Sequence, residues 1–414
     1  MPIVAPFRGV RYNAEQVKDL AKVVTPPYDV ISPQQQRGYY SRHKFNFIRI
    51  VYGRQYPTDN KNQNRYSRAR HAMDKWIRAG VLISDSELSG YPYLQEYHLN
   101  GRQYKRWGVI ALVRLDSPAI YPHEETRTAP KQDRVRLLKT VQASVSPLFG
   151  LIPDKSGSYQ KFIEQAVRSK PACASVRFNA VVHRLWKISD PVWIRKLQKV
   201  LRSREMVIAD GHHRFEAAKM VRQHHAGHDP NYSLNSPYNF SMFYLSCAGT
   251  QEPGLLPTHR LLSKISQPKL QTFLNHLLLQ EKGQKMESKR LLTNLFSLRR
   301  RGKIGIGLYA GTNGDGILLN PPRGVVHRLD VEWLHGNLLP DWIEAGGHLS
   351  FTQDLKKALD SVKQGRAQLL FVMQPPDFKE VFSRARSRVP MPGKTTYFYP
   401  KPLSGLVQYL WGGA

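Results

Sequence analysis

The densest set of chemistry-bearing residues lies in Val207-Ile208-Ala209-Asp210-Gly211-His212-His213-Arg214-Phe215-Glu216-Ala217-Ala218. An apolar run ends at a carboxylate, a glycine permits a tight turn, and a helix-forming segment with two alanines follows. A junction of strand, glycine and helix aims backbone N–H groups and the positive helix end at one point, which suits a phosphate. Two imidazoles and the Arg214 guanidinium crowd the same point, and a guanidinium adds charge-assisted hydrogen bonds. Asp210, at the strand end, is placed to hold Mg²⁺ or to accept a proton. The plainer alternative is an Asp that only caps the helix, with two surface histidines beside it.

A second set follows another apolar run: Ile120-Tyr121-Pro122-His123-Glu124-Glu125-Thr126-Arg127, with Lys131, Asp133 and Arg134. A carboxylate held among cations is kept ionised and can serve as a base or metal ligand, although charged loops are also ordinary solvated surface. A third, looser set comprises Asp29 in a proline loop, Thr258-His259-Arg260, and Lys394-Thr395-Thr396-Tyr397-Phe398-Tyr399. Each puts polar groups on a stiff segment bounded by proline or aromatic residues, as binding loops do. Singly, each reads equally as a structural turn. No P-loop, Rossmann glycine fingerprint, Gly-x-Ser-x-Gly elbow, zinc motif or protein-kinase catalytic loop is present.

The elements that must position these groups are legible from periodicity. Apolar spacing at Tyr66, Ala69, Met73, Trp76 and Ile77 predicts a helix over 64–79 that ends at Gly80. Thr25-Pro26-Pro27-Tyr28-Asp29-Val30 is expected to be non-helical, since two prolines remove donors and force extended backbone before them. Asn100-Gly101 predicts a hairpin turn between Tyr97-His98-Leu99 and Gln103-Tyr104. Val109 to Leu115 suits a buried strand, and helical spacing runs from Lys131 to Val145. Strands at 181–186 and 206–209 flank a helix at 193–201. A helix from Phe215 to His224 and a strand from Phe240 to Cys247 follow. Beyond Gly254, helices are expected at 269–281 and 329–339. Strands are expected at 304–309, 316–319 and 369–373. The alternation of strands and helices predicts an α+β, or mixed α/β, fold.

The chain has 414 residues, enough for two or three domains, and 41% hydrophobic residues, ample for buried cores. Lys and Arg number 62 against 31 Asp and Glu, a formal charge of +31. Such an excess attracts polyanions, so weak, nonspecific nucleic-acid binding is expected. The basic residues are scattered, however, and the densest group, Arg299-Arg300-Arg301 with Lys303, is expected to be a solvated turn. The two cysteines, Cys173 and Cys247, lie far apart without metal-ligand spacing, and Cys247 is expected in a core. No apolar run reaches the roughly 18 residues a membrane span requires, and the N-terminus lacks a charged leader with an apolar segment. A cytoplasmic protein with no membrane partner is therefore expected.

Taken together, these motifs resemble a large bacterial and archaeal family catalogued only as a domain of unknown function, DUF 1015. The resemblance runs from Phe7-Arg8-Gly9 and Pro26-Pro27-Tyr28-Asp29-Val30-Ile31 through Pro122-His123-Glu124, Pro130-Lys131, Asp133-Arg134 and Ser146-Pro147-Leu148-Phe149. It continues through Ala209-Asp210-Gly211-His212-His213-Arg214 and Leu256-Pro257-Thr258-His259-Arg260 to Lys394-Thr395-Thr396-Tyr397-Phe398-Tyr399-Pro400-Lys401. The middle of the chain also resembles the nucleotide-binding core shared by ParB-like partition proteins, sulfiredoxin and free-serine kinases. That resemblance implies a Gly-x-x-Arg turn on nucleotide phosphates, here Gly211 to Arg214. The kinase branch is similar in its Asp-Gly-His, here Asp210-Gly211-His212, and implies a catalytic glutamate, for which Glu124 is the candidate. The partition branch implies a nucleotide switch for DNA, but no helix-turn-helix is evident after the core.

The resulting expectation is a ParB/sulfiredoxin-like nucleotide-binding core at 108–250, with α+β parts at 1–107 and 251–414. Its activity would be a Mg²⁺-dependent kinase, with ATP or ADP as donor, acting on free L-serine or a similar small hydroxyl metabolite. Glu124, Asp210 and His123 are the expected catalytic residues, with Asp210 also the metal ligand. Gly211, His212, His213, Arg214, Lys131 and Arg134 would hold phosphates, and Asp29, Arg127, His259, Arg260 and Lys394 the substrate. A nucleotide-switched binding protein and a phosphate-ester hydrolase remain open as alternatives.

Overall fold

The computed structural model describes residues 3–249, 254–279, 283–301, 303–311, 315–320, 329–344 and 346–411. Contacts divide the chain into two compact units, Met1–Pro253 with Pro400–Ala414, and Gly254–Tyr399. Each mixes helices with sheet, so the fold is α+β.

Among the described residues, the main sheet of the first unit has nine strands. They are β1 (Val4–Ala5), β2 (Tyr91–Leu99), β3 (Arg102–Arg114), β4 (Ile120–Tyr121), β5 (Leu148–Pro153), β6 (Ala174–Phe178), β7 (Val181–Leu185), β8 (Met206–Asp210) and β9 (Phe240–Ala248). Their order is β4-β8-β5-β9-β3-β2-β7-β6, with β1 also paired to β3. β4 with β8 and β5 with β9 run parallel, and the other neighbours run antiparallel. The β2–β3 hairpin turns where expected: Asn100 at φ 51° and Gly101 at φ 76° give both turn positions the left-handed backbone that matches strand twist. Residues 106–113 of β3 are all buried because both faces of the sheet are covered. Trp107, Val109, Ala111 and Val113 belong to a core built with three helices. The opposite face carries Tyr93, Gln95, Tyr97, Arg106 and Tyr244, a polar and aromatic set.

The helices follow their sequence patterns. α1 (Arg65–Arg78) is capped by Asn64 and buries Ala69, Met73 and Trp76. α2 (Thr128–Val141) ends where Gln142 turns left-handed at φ 53°. It therefore stops short of the expected Val145, and Ala143-Ser144 pair with Tyr409-Leu410 instead. α3 (Ser158–Val167) buries Tyr159, Ile163 and Val167. α4 (Pro191–Arg202) starts from the Asp190 cap and buries Trp193, Leu197 and Leu201 against the sheet, leaving its lysines and arginines outside. α5 (His212–His228) begins at the glycine turn. In the proline loop, Tyr28–Val30 form one 3₁₀ turn, contrary to the expected non-helical stretch. Both prolines precede it, so neither removes a donor from inside the turn. Cys247 is half-buried against the main core, and Cys173 is exposed.

The expected boundary at 107/108 falls inside β3, which pairs with β2 on both sides of it. A second core joins Val10, Phe47, Met73 and Trp76 to Leu137 and Val141 of α2. The N-terminal region and the central core are thus one unit, and residues from 400 onward return to it.

The second unit holds a six-stranded antiparallel sheet among its described residues. Its strands are His259–Ser263, Gly283–Glu287, Ile306–Ala310, Asp315–Leu319, His348–Thr352 and Leu369–Val372. Leu291 and Leu295, from the helix Ser288–Arg300, pack with Tyr309, Leu318, Leu370 and Val372. That helix runs through Arg299 and Arg300, so the expected basic turn begins only at Arg301. Among the described residues no helix is long and apolar enough to cross a membrane.

Candidate active site

β8 is buried along its whole length and delivers Asp210 to the sheet end. Gly211 then takes φ +99°, where a Cβ would lie 2.8 Å from Leu148 Cδ2 and 2.9 Å from Arg214 Nη2. Only glycine fits that backbone and that space. α5 starts at His212 with no side-chain cap, so its first N–H groups have no partner inside the helix and carry the positive end of its dipole.

The two histidines of this turn hold the second motif in place. His212 Nε2 accepts from the His123 backbone N–H at 3.3 Å, and the two rings meet edge to face at 4.6 Å between centroids. His213 Nε2 accepts from the Arg127 N–H at 3.0 Å. The loop 123–127 is therefore pinned at both ends to the start of α5, with half-buried Glu124 between the pins. His123 is fully buried. Burial, followed by the neighbouring His212, pushes its pKa down to about 3, so it is neutral.

Asp210 is 7% exposed and gripped from two sides. Arg214 Nη2 donates to Oδ2 at 2.5 Å, while its Nη1 donates to the Pro147 carbonyl at 2.7 Å. Lys401 Nζ donates to Asp210 Oδ1 and, at 3.1 Å, to Asp29 Oδ2. Beside this tetrad, Asp133 binds Arg65, Arg134 (Nε at 2.6 Å) and the Tyr66 hydroxyl at 2.7 Å. Arg134 also donates to the Val51 carbonyl at 2.8 Å and lies 3.9 Å above the Tyr28 ring. Burial pushes the Tyr28 phenol up to about 12, against the lowering effect of Arg134.

The structure thus brings together Asp29, His123, Glu124, Arg127, Asp210, Gly211, His212, His213 and Arg214 in one unit. Some of the groups expected on phosphate already serve the protein. His212 and His213 accept backbone N–H groups, Arg214 holds Asp210 and Pro147, and Arg134 holds Asp133 and Val51. Arg127 is exposed just before α2, and Lys131 is half-buried in its first turn. His259, Arg260 and Lys394 belong to the second unit. There Arg260 is 1% exposed and donates to the carbonyls of Thr258 and, at 3.1 Å, Lys394. His259 Nδ1 accepts from the Met373 N–H at 3.2 Å, and burial lowers its pKa to about 4.

Lys401, Tyr28 and Arg65 are the site-forming residues that residue-by-residue reading passes over, whereas Asp133 stands in the second set. Lys401 joins Asp210 across 191 positions, a pairing with no local pattern, and its one sequence signal is its place in the segment Lys394–Lys401.

Comparisons with known proteins give a family and a set of distantly similar structures. No curated protein matches the chain. Among solved structures, the chain is similar to a conserved hypothetical protein from Pyrococcus furiosus (TM-score 0.38, 13% identity, covering 71% of this chain and 92% of that one). It is similar to a free serine kinase in complex with AMP (TM-score 0.38, 13% identity, 72% and 92% covered). It is also similar to SbnI with a C-terminal truncation from Staphylococcus aureus (TM-score 0.36, 10% identity, 71% and 85% covered). The family described as "Protein of unknown function (DUF1015)" matches residues 4–332, most of the chain, and this protein belongs to it.

Proposed function

We propose that the first unit binds a nucleotide at the Asp210–Arg214 turn and transfers a phosphoryl group from ATP or ADP to a small hydroxyl metabolite. One observation carries this reading: the loop holding Glu124 is pinned through His212 and His213 to a glycine-opened, uncapped helix start. That sets a carboxylate loop beside a turn whose form suits a phosphate, and these are the two parts that transfer to a hydroxyl requires. In this assignment the first amides of α5 and Lys131 hold phosphate, and His212 and His213 position the loop. Glu124 takes the hydroxyl proton as the oxygen attacks phosphorus, and the shortened nucleotide leaves with the P–O bond electrons. Phosphoryl transfer asks mainly for such positioning and charge neutralisation.

Free L-serine is the first substrate to test, because Asp210-Gly211-His212 with Glu124 is similar to the free-serine kinase pattern. Asp210 does not fit its expected role as a Mg²⁺ ligand: both its oxygens are taken by Lys401 and Arg214. Among the described residues no group of three or more His, Cys, Asp or Glu is arranged to hold a metal. No step is therefore assigned to a metal bound by the protein.

The test is incubation with ATP or ADP, MgCl₂ and a panel of small alcohols and hydroxy amino acids, read by phosphorus NMR. A new phosphomonoester signal, phosphoserine first, is expected. Nucleotide binding by calorimetry without any ester would favour a nucleotide-switched binding protein. Absence of both would remove the site from this turn.

A further inference from the structure

Lys401 reaches the turn from a firmly held segment. The chain re-enters the first unit at Pro400, and the segment up to Gln408 is tied down at five positions. Arg106 Nη1 donates to the Pro400 carbonyl at 3.1 Å, and Gln95 Nε2 to the Lys401 carbonyl at 3.1 Å. The Leu403 N–H reaches the Tyr93 hydroxyl at 3.4 Å. Ser404 exchanges two backbone bonds with Thr25 and meets the Ser146 hydroxyl at 2.6 Å. Gln408 exchanges two more with Val10. The polar face of the main sheet thus serves as the bed for this segment. Its product is one ammonium, 8% exposed, set between the carboxylates of Asp29 and Asp210.

Two carboxylates from separate motifs converging on one position beside a phosphate turn is the arrangement expected of a divalent cation, which uses one or two carboxylates together with substrate phosphate. Here an ammonium fills that position. With Arg214 it brings the tetrad of Asp29, Asp210, Lys401 and Arg214 to zero net charge, so an incoming phosphate meets no excess of negative charge. We propose that Lys401 is the resident cation of the site: a positioning residue that stands where a metal ion would stand, neutralising and orienting Asp29 and Asp210. The inference rests on the phosphate reading of the 210–214 turn, but its metal arm can be tested without it.

The experiment uses the full chain, wild type and Lys401→Met, with Mn²⁺ alone and AMP alone as probes. AMP is chosen because it chelates divalent ions weakly. The bonds that hold the segment are made by the Lys401 main chain and its neighbours, so the methionine variant should fold. Wild type is expected to show no saturable Mn²⁺ binding by electron paramagnetic resonance. The variant, in which Asp29, Asp210 and Arg214 together carry a net charge of −1, should bind Mn²⁺ below about 1 mM, the range of weak carboxylate sites. Its AMP affinity should fall roughly tenfold or more, the scale of one unit charge removed at short range. Added Mn²⁺ should restore much of that loss. A merely structural ion bridge would show no such rescue.

Unchanged AMP affinity in the variant, or a loss that Mn²⁺ does not relieve, would overturn the proposal. So would saturable Mn²⁺ binding by the wild type, which needs no variant to be observed. If wild type binds no AMP or other nucleotide while Lys401→Met still gains Mn²⁺, the phosphate reading fails and the cation assignment stands.

Discussion

At the scale of single residues, the proposed chemistry rests on Glu124, which lies between two pinned backbone positions, His123 and Arg127. Glu124→Gln keeps its size and most hydrogen bonds but cannot accept the hydroxyl proton. Turnover should fall by about a hundredfold or more, the usual contribution of a general base, with nucleotide affinity little changed. Initial rates and calorimetry on the same preparation check this. A variant with near-normal turnover would make Glu124 a bystander and move the base elsewhere. The two motifs that the structure brings together, Asp210 to Arg214 and His123-Glu124, were legible because their density after apolar runs is visible locally. Their partners were not visible. Nothing in the string His212-His213 says that both imidazoles accept backbone N–H groups from a loop more than eighty positions earlier.

At the scale of elements, the strand β8, the glycine and helix α5 form one device, and Gly211 is its hinge point. Gly211→Ala must place a Cβ against Leu148 and Arg214 and hold alanine at φ +99°. A strained left-handed backbone of this kind costs on the order of 1–3 kcal/mol. The thermal midpoint should drop, and nucleotide affinity should fall because the α5 amides are re-aimed. Wild-type melting with wild-type affinity would show that the turn relaxes freely and that its shape does not matter. The long amphipathic helices and the β2–β3 hairpin were legible because burial at α-helical spacing and an Asn-Gly turn are local signals. α3 carried the same signal at Tyr159, Ile163 and Val167 but was passed over among its polar neighbours. Two-residue strands such as β1 and β4 exist only through their partners, so no periodicity could announce them.

At the scale of the whole molecule, the division into units was the least legible feature. A strand that crosses an expected boundary, and a segment that returns from residue 400, are long-range pairings without local pattern. The charge of +31 was plain from composition, and α4 shows how such an excess is carried. Its Trp193, Leu197 and Leu201 face the core, while Lys199 and Arg202 fall in its last turn, where cations complement the helix dipole. Both units also share an acid sensitivity. Burial lowers His123 and His183 to about 3 in the first unit, and His259 and His335 to about 4 in the second, from an ordinary 6.5. A folded value below the unfolded one means that the unfolded chain takes up the proton first. The stabilisation is therefore fully present above about pH 6.5 and is lost as the pH falls toward 4, at up to about 1.4 kcal/mol per pH unit for each imidazole. Carboxylates held low by salt bridges, such as Asp85 and Asp133, add their loss only below their ordinary value of 3.8. Melting curves between pH 7.5 and 4.5 should thus show a steep decline well before the carboxylates titrate. His183→Gln, whose amide can still meet the Tyr93 hydroxyl that His183 Nδ1 contacts at 2.6 Å, should flatten that decline whatever it does to stability at pH 7.5. An unchanged slope in the variant, or a wild-type midpoint constant from pH 7 to 5, would mean that His183 takes up its proton without opening the sheet.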